Sequence, residues 1–326
     1  MKAIHIAQLT GPDDLQVVDI PEPGASHFLA PDGGVVIDVY AAGVAFPELL
    51  QSRGEYQMKP PLPFVPGAEV GGVVRSAPAD SGLQPGDRVA ALCLLGGFAE
   101  VAVAPAWGTF KVPDAFSFAQ AASLVFNYHT AYFSLVTRGR LQTGETVAVH
   151  GAAGGVGTAA LQIAKGLGAR TVAIVSSDEK DRVAREAGAD EVVRSDGAWK
   201  DALLALGGVD LIVDPVGGDR FTDSLRCLKP EGKLLVVGFT AGAIPEVKVN
   251  RLLLNNVSVV GVGWGAYVLS KPDVTRQIGA AIDELIAAGH VSPIVGASFP
   301  LEQAAEALKL LDTRGAVGKV VLEVRA

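Results

Sequence analysis

The chain has 326 residues, of which 49% are hydrophobic and 19% charged, enough apolar material for sizeable cores and too much for wholesale disorder. At roughly 150 residues per domain, the length suggests two domains. The net charge is −8 and no basic stripe is present, which argues against nucleic acid as a partner. Mean hydropathy is +0.34, yet the long apolar runs are interrupted. Gly96, Gly97, Glu100 and Pro105 break residues 89–107, and Ser258 with several glycines breaks residues 257–269. Neither reads as a membrane span. Residues 1–9 alternate like a strand and lack the apolar stretch of a signal peptide, so a cytoplasmic protein without a membrane partner is expected. Cys93 and Cys227 are the two cysteines; they lie far apart and form no disulfide framework or paired metal motif. Both are expected as small buried hydrophobes.

To about Ser117 the sequence is β-rich. Strands are expected at 35–40, 69–74 and 88–92, with a turn at Gln84-Pro85-Gly86-Asp87 and an extended loop at Pro60-Pro61-Leu62-Pro63. From Phe118 the rhythm changes. An Ala-rich run predicts one helix over 119–138, then a strand at 146–149, a glycine loop and a helix over 155–167. Strands at 171–175, 191–193, 211–213, 233–237 and 257–262 alternate with helices around 179–187, 198–206 and 220–228. Buried strands alternating with helices imply α/β architecture with a doubly wound parallel sheet of the Rossmann type. From Pro272 two further helices, to about 288 and over 301–311, precede a last strand at 319–324.

The loop His150-Gly151-Ala152-Ala153-Gly154-Gly155-Val156-Gly157 carries the most chemistry. Gly151, Gly154 and Gly157 are spaced three apart between a strand and a helix, a variant of the dinucleotide fingerprint. Positions without side chains let the backbone approach a pyrophosphate, and free N–H groups at the helix start face the anion. The plain alternative is a glycine-rich turn with no ligand. The following strand ends at Val175-Ser176-Ser177, then Asp178-Glu179-Lys180. Ser176 and Lys180, with Arg194 after the third strand, fit a ribose 2′-phosphate and hence NADPH. In the other reading Asp178 serves a free ribose, as in NADH binders, and the two cations are solvated surface charges.

With these residues the sequence resembles the zinc-free quinone oxidoreductase branch of the medium-chain dehydrogenase/reductase superfamily. The other landmarks are Ala42-Gly43-Val44 with Phe46-Pro47, Leu62-Pro63-Phe64-Val65-Pro66-Gly67-Ala68-Glu69, Thr130-Ala131-Tyr132, Asp214-Pro215-Val216-Gly217-Gly218, Gly238-Phe239 and Gly318-Lys319-Val320-Val321. The resemblance implies a GroES-like catalytic domain over 1–122, a Rossmann domain over 123–264 and a return to the catalytic domain over 265–326. It also implies a homodimer, paired through the last Rossmann strands. Cofactor contacts follow at Gly151, Ala153, Gly154, Gly155, Val156 and Gly157, at Ser176, Lys180 and Arg194, and at Thr130, Gly238, Phe239, Trp264 and Lys319.

Zinc-binding members carry a cysteine after the first Gly-Val and a histidine in Gly-His-Glu; here those positions are Ala45 and Ala68. The four-cysteine lobe is missing too, so no zinc is expected, and Glu69 is expected as a hydrogen-bonded residue. Relatives of this branch commonly have Asn-Phe-x-Asp where this chain has Ala45-Phe46-Pro47-Glu48.

Without a Lewis acid, a hydride acceptor must be activated by conjugation and hydrogen-bond donors, which favours quinones and α,β-unsaturated carbonyls. Candidate donors are Tyr56, Asn127, Tyr128 and Tyr267. His129 and His150 are read as structural, with a relay role as the alternative. Two other functions stay open. An enoyl-thioester reductase would need a basic entrance, which Arg53 and Lys59 could begin. A non-catalytic NADPH-binding protein is compatible with alanine at position 45.

Overall fold

The computed structural model describes residues 1–325, which divide into two compact units. The first comprises 1–126, 272–279 and the chain from Pro293; the second comprises 127–271 and 280–292.

The first unit opens with the antiparallel hairpin β1 (Lys2–Ile6) and β2 (Leu15–Asp19). Then come β3 (Val35–Val44), α1 (Phe46–Ser52), β4 (Glu69–Ser76), β5 (Arg88–Leu92), β6 (Val101–Ala104), β7 (Thr109–Lys111) and α2 (Phe118–Ala121). The long strand β3 is almost continuously buried, which suits its run of Val, Ile and Ala.

The second unit is built from α3 (Val125–Tyr132), a π-helical turn at Phe133–Arg138, β8 (Thr146–His150), α4 (Gly155–Gly166), β9 (Arg170–Val175), α5 (Asp178–Glu186), β10 (Glu191–Arg194), α6 (Trp199–Ala205), β11 (Val209–Asp214), α7 (Arg220–Cys227), β12 (Leu228–Val236), α8 (Asn250–Asn255), β13 (Ser258–Gly261) and α9 (Trp264–Ser270). The six strands are ordered β10-β9-β8-β11-β12-β13 and every neighbouring pair is parallel. Helices cover both faces, and β8 is buried at every position. This is the doubly wound Rossmann order, and the strand order reverses between β8 and β11.

One helix was expected over 119–138, and the structure breaks it. Ser117 caps α2, its Oγ accepting the Gln120 amide at 3.1 Å. A fresh start follows at Val125, because the Glu69 carboxylate accepts the Phe126 amide at 2.9 Å. An acid anchored on a distant strand thus holds an orphan donor that a continuous helix would have satisfied itself.

The chain then runs through α10 (Asp273–Ala287), β14 (Val295–Pro300), α11 (Ala304–Asp312) and β15 (Lys319–Glu323). The last two strands complete the first unit's sheet, in the order β14-β15-β3-β4-β5-β7 with β6 also on β3. Both ends of the chain therefore share one core, in which Val35, Ile37 and Val39 pack with Leu308 and Leu322. This is the GroES-like, β-rich part of the fold. Among the described residues no helix is long and apolar enough to cross a membrane.

Candidate functional site

In the second unit the glycine loop lies at the reversal of strand order, where α/β sheets bind ligands. Gly151 takes φ = 58°, a left-handed conformation that favours glycine. A Cβ on Gly157 would stand 2.3 Å from the Gly151 carbonyl oxygen, and one on Gly155 would stand 2.4 Å from Asn127 Nδ2. Ala152 and Ala153 are buried, while Gly154, Gly155 and Val156 are partly open. The first intrahelical bond of α4 runs from the Thr158 amide to Gly154 at 2.9 Å. The amides of Gly155, Val156 and Gly157 thus precede the helical ladder and present donors and a positive dipole end to an anion.

Two neighbouring loops frame it. After β11, Asp214 Oδ1 accepts the amides of Val216 and Gly217, both at 2.9 Å, and folds the chain into a tight turn. After β12, the Val237 amide donates to the Asp214 carbonyl at 2.9 Å and the Thr240 amide to Pro215 at 3.1 Å. Gly238 and Phe239 therefore lie beside the first turn. The site for a Cβ on Gly217 is 2.9 Å from the Phe239 ring, and that on Gly151 is 3.2 Å from Val216.

Ser176, Lys180 and Arg194 meet at the tip of β9. Lys180 Nζ lies 3.4 Å from Ser176 Oγ. Arg194 donates to the Ser176 carbonyl at 3.1 Å and to Asp178 at 2.7 Å. Ser177 caps α5 by accepting the Lys180 amide at 3.3 Å. The corner is exposed, so the Arg194–Asp178 pair contributes little to stability and can exchange partners.

The remaining residues of the second unit are more deeply set. Asn127 is 4% exposed, with its amide against the glycine loop at Gly155. The Tyr128 hydroxyl is buried and donates to Gln162 Oε1 at 2.7 Å, and burial pushes its acidity weaker still. Gln162 Nε2 in turn donates to the Ser292 carbonyl at 2.8 Å, so Tyr128 serves an internal network. Thr130 and Trp264 are buried, and the Trp264 ring lies 5.5 Å from that of His129. Burial pushes His129 down to about 3 and keeps it neutral. His150 Nε2 lies 2.8 Å from Ser224 Oγ, and burial pushes it down to about 4 against the pull of Asp214. Tyr267 packs its ring against Phe133 at 4.9 Å.

The first unit holds Tyr56, half-buried, with its hydroxyl's pKa raised by burial and then by the charge of Glu48. It also holds a cluster that the sequence analysis assembled only in part. Glu48 is 1% exposed; Oε2 accepts the Ala45 amide at 2.9 Å and Oε1 the Ala68 amide at 2.8 Å. Glu69, also 1% exposed, receives the Lys319 ammonium at 2.5 Å. Lys319, read as a cofactor contact, is 3% exposed and spends its charge on this ion pair. Gly43 makes room for it, since a Cβ there would stand 2.7 Å from Glu69 Cγ. Glu48 had a readable signal. It is the third residue of α1, from which a glutamate reaches back to the N-cap amide.

The residues do not fit a zinc ion. Alanines stand at positions 45 and 68, and the Glu69 carboxylate is taken by Lys319. Cys93 is buried, its thiol pushed up to about 12. Among the described residues no group of three or more His, Cys, Asp or Glu is placed to hold a metal.

Residues 31–114 match the family described as alcohol dehydrogenase GroES-like domain, and residues 155–284 match zinc-binding dehydrogenase. Quinone oxidoreductase-like protein 2 of Bos taurus is 38% identical over 89% of this chain and 85% of its own length. A probable oxidoreductase from Mycobacterium abscessus superposes with a TM-score of 0.87 at 43% identity, over 99% of both chains. A mycobacterial protein solved in complex with NADPH gives a TM-score of 0.90 at 33% identity, covering 99% of this chain and 100% of that one.

Proposed function

Because the chain belongs to the quinone oxidoreductase family of medium-chain dehydrogenases/reductases, an NADPH-dependent group of oxidoreductases, we propose that it reduces small quinones or α,β-unsaturated carbonyls. The observation that carries this reading is the glycine loop, with three amides that precede the helical ladder at the head of α4, where the strand order reverses. The loop suits a dinucleotide diphosphate, since it closes so tightly on itself that a Cβ at Gly155 would meet Asn127 and one at Gly157 the Gly151 carbonyl. In this reading the backbone of Gly151, Ala153, Gly154, Gly155, Val156 and Gly157 holds the diphosphate. Ser176, Lys180 and Arg194 hold the 2′-phosphate, and Thr130, Gly238, Phe239 and Trp264 border the nicotinamide half.

When bound, NADPH supplies a hydride. The carbonyl oxygen that gains charge then needs a donor, and with no zinc-binding residues in place a conjugated acceptor is the chemistry that remains. Tyr56 is our candidate donor, held neutral by burial and by Glu48, and Asn127 is the second because its amide lies against the glycine loop at Gly155. We further propose a cytoplasmic homodimer. In the second unit β13 ends the sheet, and in the segment leading to it Ile244, Val249, Leu253 and Leu254 are each more than 70% exposed, apolar surface that a second copy would cover.

The test is direct. Protein, NADPH and a panel of ortho-quinones, para-quinones and enones are mixed, and loss of the reduced nicotinamide absorbance is followed. Turnover above background supports the reading. Tight NADPH binding with no turnover on any acceptor would make the protein a non-catalytic nucleotide binder instead.

A further inference from the structure

Glu48, Glu69 and Lys319 are buried side chains of the first unit, carried by α1, β4 and β15. The Lys319 ammonium pairs with Glu69 at 2.5 Å, and its charge also acts on Glu48. Fully ionised, the trio carries one uncompensated negative charge, which a low-dielectric interior resists. The other titratable groups that face it are the Tyr56 hydroxyl, beside Glu48, and the Cys93 thiol, beside Glu69, and neither is a cation.

Ionised Glu48 does a particular job. Its two oxygens take the amides of Ala45 and Ala68, at 2.9 and 2.8 Å. Those are the positions at which zinc-binding relatives carry side-chain ligands, and here one carboxylate joins the backbone at both. A protonated carboxyl has a hydroxyl on one oxygen, and its hydrogen occupies part of that oxygen's accepting side. One of the two ties then weakens.

We propose that Glu48 is a positioning residue: as a carboxylate it clamps the turn at Ala45 to the segment at Ala68, and uptake of one proton by the Glu48–Glu69–Lys319 cluster loosens that clamp. Burial, opposed by the Lys319 charge and the amide hydrogen bonds, pushes the Glu48 carboxyl up to about 7, and Glu69 moves in the same direction. The proton belongs to the cluster as a whole. The clamp is therefore closed in mildly alkaline conditions and loosened on acidification. Helix α1 hangs from the clamped turn, and Tyr56 follows α1, so the turn controls where that hydroxyl stands.

The decisive experiment follows the Ala45 and Ala68 amide resonances of the full-length ¹⁵N-labelled chain between about pH 5.5 and about pH 8.5. Both are expected to shift together with one midpoint near 7. In Glu48→Gln the shared midpoint disappears, and in Lys319→Met, which removes the cation, it moves upward. If neither amide shifts in the wild-type chain, the proposal fails, and that measurement needs no variant to fold. A midpoint that persists in Glu48→Gln, or stays put in Lys319→Met, overturns it too. A kinetic arm rests on the quinone-reductase reading: KM for the quinone should climb about fivefold as pH falls through the midpoint, with NADPH affinity unchanged. A chain that lacks turnover defeats that reading while the amide titration still judges the clamp.

Discussion

The Asn127 amide lies against the bare Cα of Gly155, so close that a Cβ there would stand 2.4 Å from Nδ2. This contact couples a buried side-chain amide to the first residue of α4. At Gly157 a Cβ would stand 2.3 Å from the Gly151 carbonyl, a backbone group that cannot yield as a side chain can. Gly157→Ala should therefore weaken NADPH binding by about a hundredfold, and Gly155→Ala by about tenfold through displacement of Asn127. Fluorescence titration of NADPH checks both. Unchanged affinity in Gly157→Ala would remove the loop from the binding site.

In the proposed reading, selection between the two nicotinamide nucleotides rests on the corner at the end of β9. Lys180→Ala and Arg194→Ala should each weaken NADPH by about tenfold, and NADH hardly at all, because only the former carries the 2′-phosphate. Equal losses for both nucleotides would mean that the two cations serve the fold or the diphosphate instead.

Acid stability carries opposing signatures. His129 and His150 have folded values near 3 and 4, below the ordinary 6.5, so their contribution is present above 6.5 and lost as pH falls towards those values. Glu48 is the reverse. Its folded value near 7 exceeds the ordinary 4.5, so its contribution is present below 4.5 and lost as pH rises through 7. Between these limits protonation of Glu48 offsets part of the histidine loss. Urea unfolding should show Glu48→Gln losing stability more steeply than wild type as pH falls from 6.5 to 4.5, by at most about 1.4 kcal/mol per pH unit. Parallel curves would show that Glu48 does not titrate in this range.

Leu253 and Leu254, exposed at 76% and 75%, stand in α8 just before the edge strand β13. Replacing both with glutamate should convert a dimer into a monomer in sedimentation experiments, with NADPH affinity within about twofold of wild type. A wild-type chain that already sediments as a monomer would refute the pairing.

Much of the second unit was legible in the sequence because its signals are local. The glycines at 151, 154 and 157 sit within one turn between a strand and a helix, and buried parallel strands announce themselves as short apolar runs. That positions 45 and 68 hold alanine is equally plain, but only the resemblance to zinc-binding relatives marks them as ligand positions. What stayed hidden depends on residues far apart in the chain. The run over 119–138 has the composition of one helix, and only the arrival of Glu69 at the Phe126 amide divides it. Tyr128 reads as a free donor until folding brings Gln162 to its hydroxyl. Lys319 reads as a cofactor contact until β15 lies beside β3 and its ammonium meets a carboxylate 250 residues away. The sequence determined the backbone path around the glycine loop, because bond geometry and the absence of side chains act within a few residues. Tertiary structure alone decided which charges are buried together, because the partner and the surrounding dielectric are both set by distant strands.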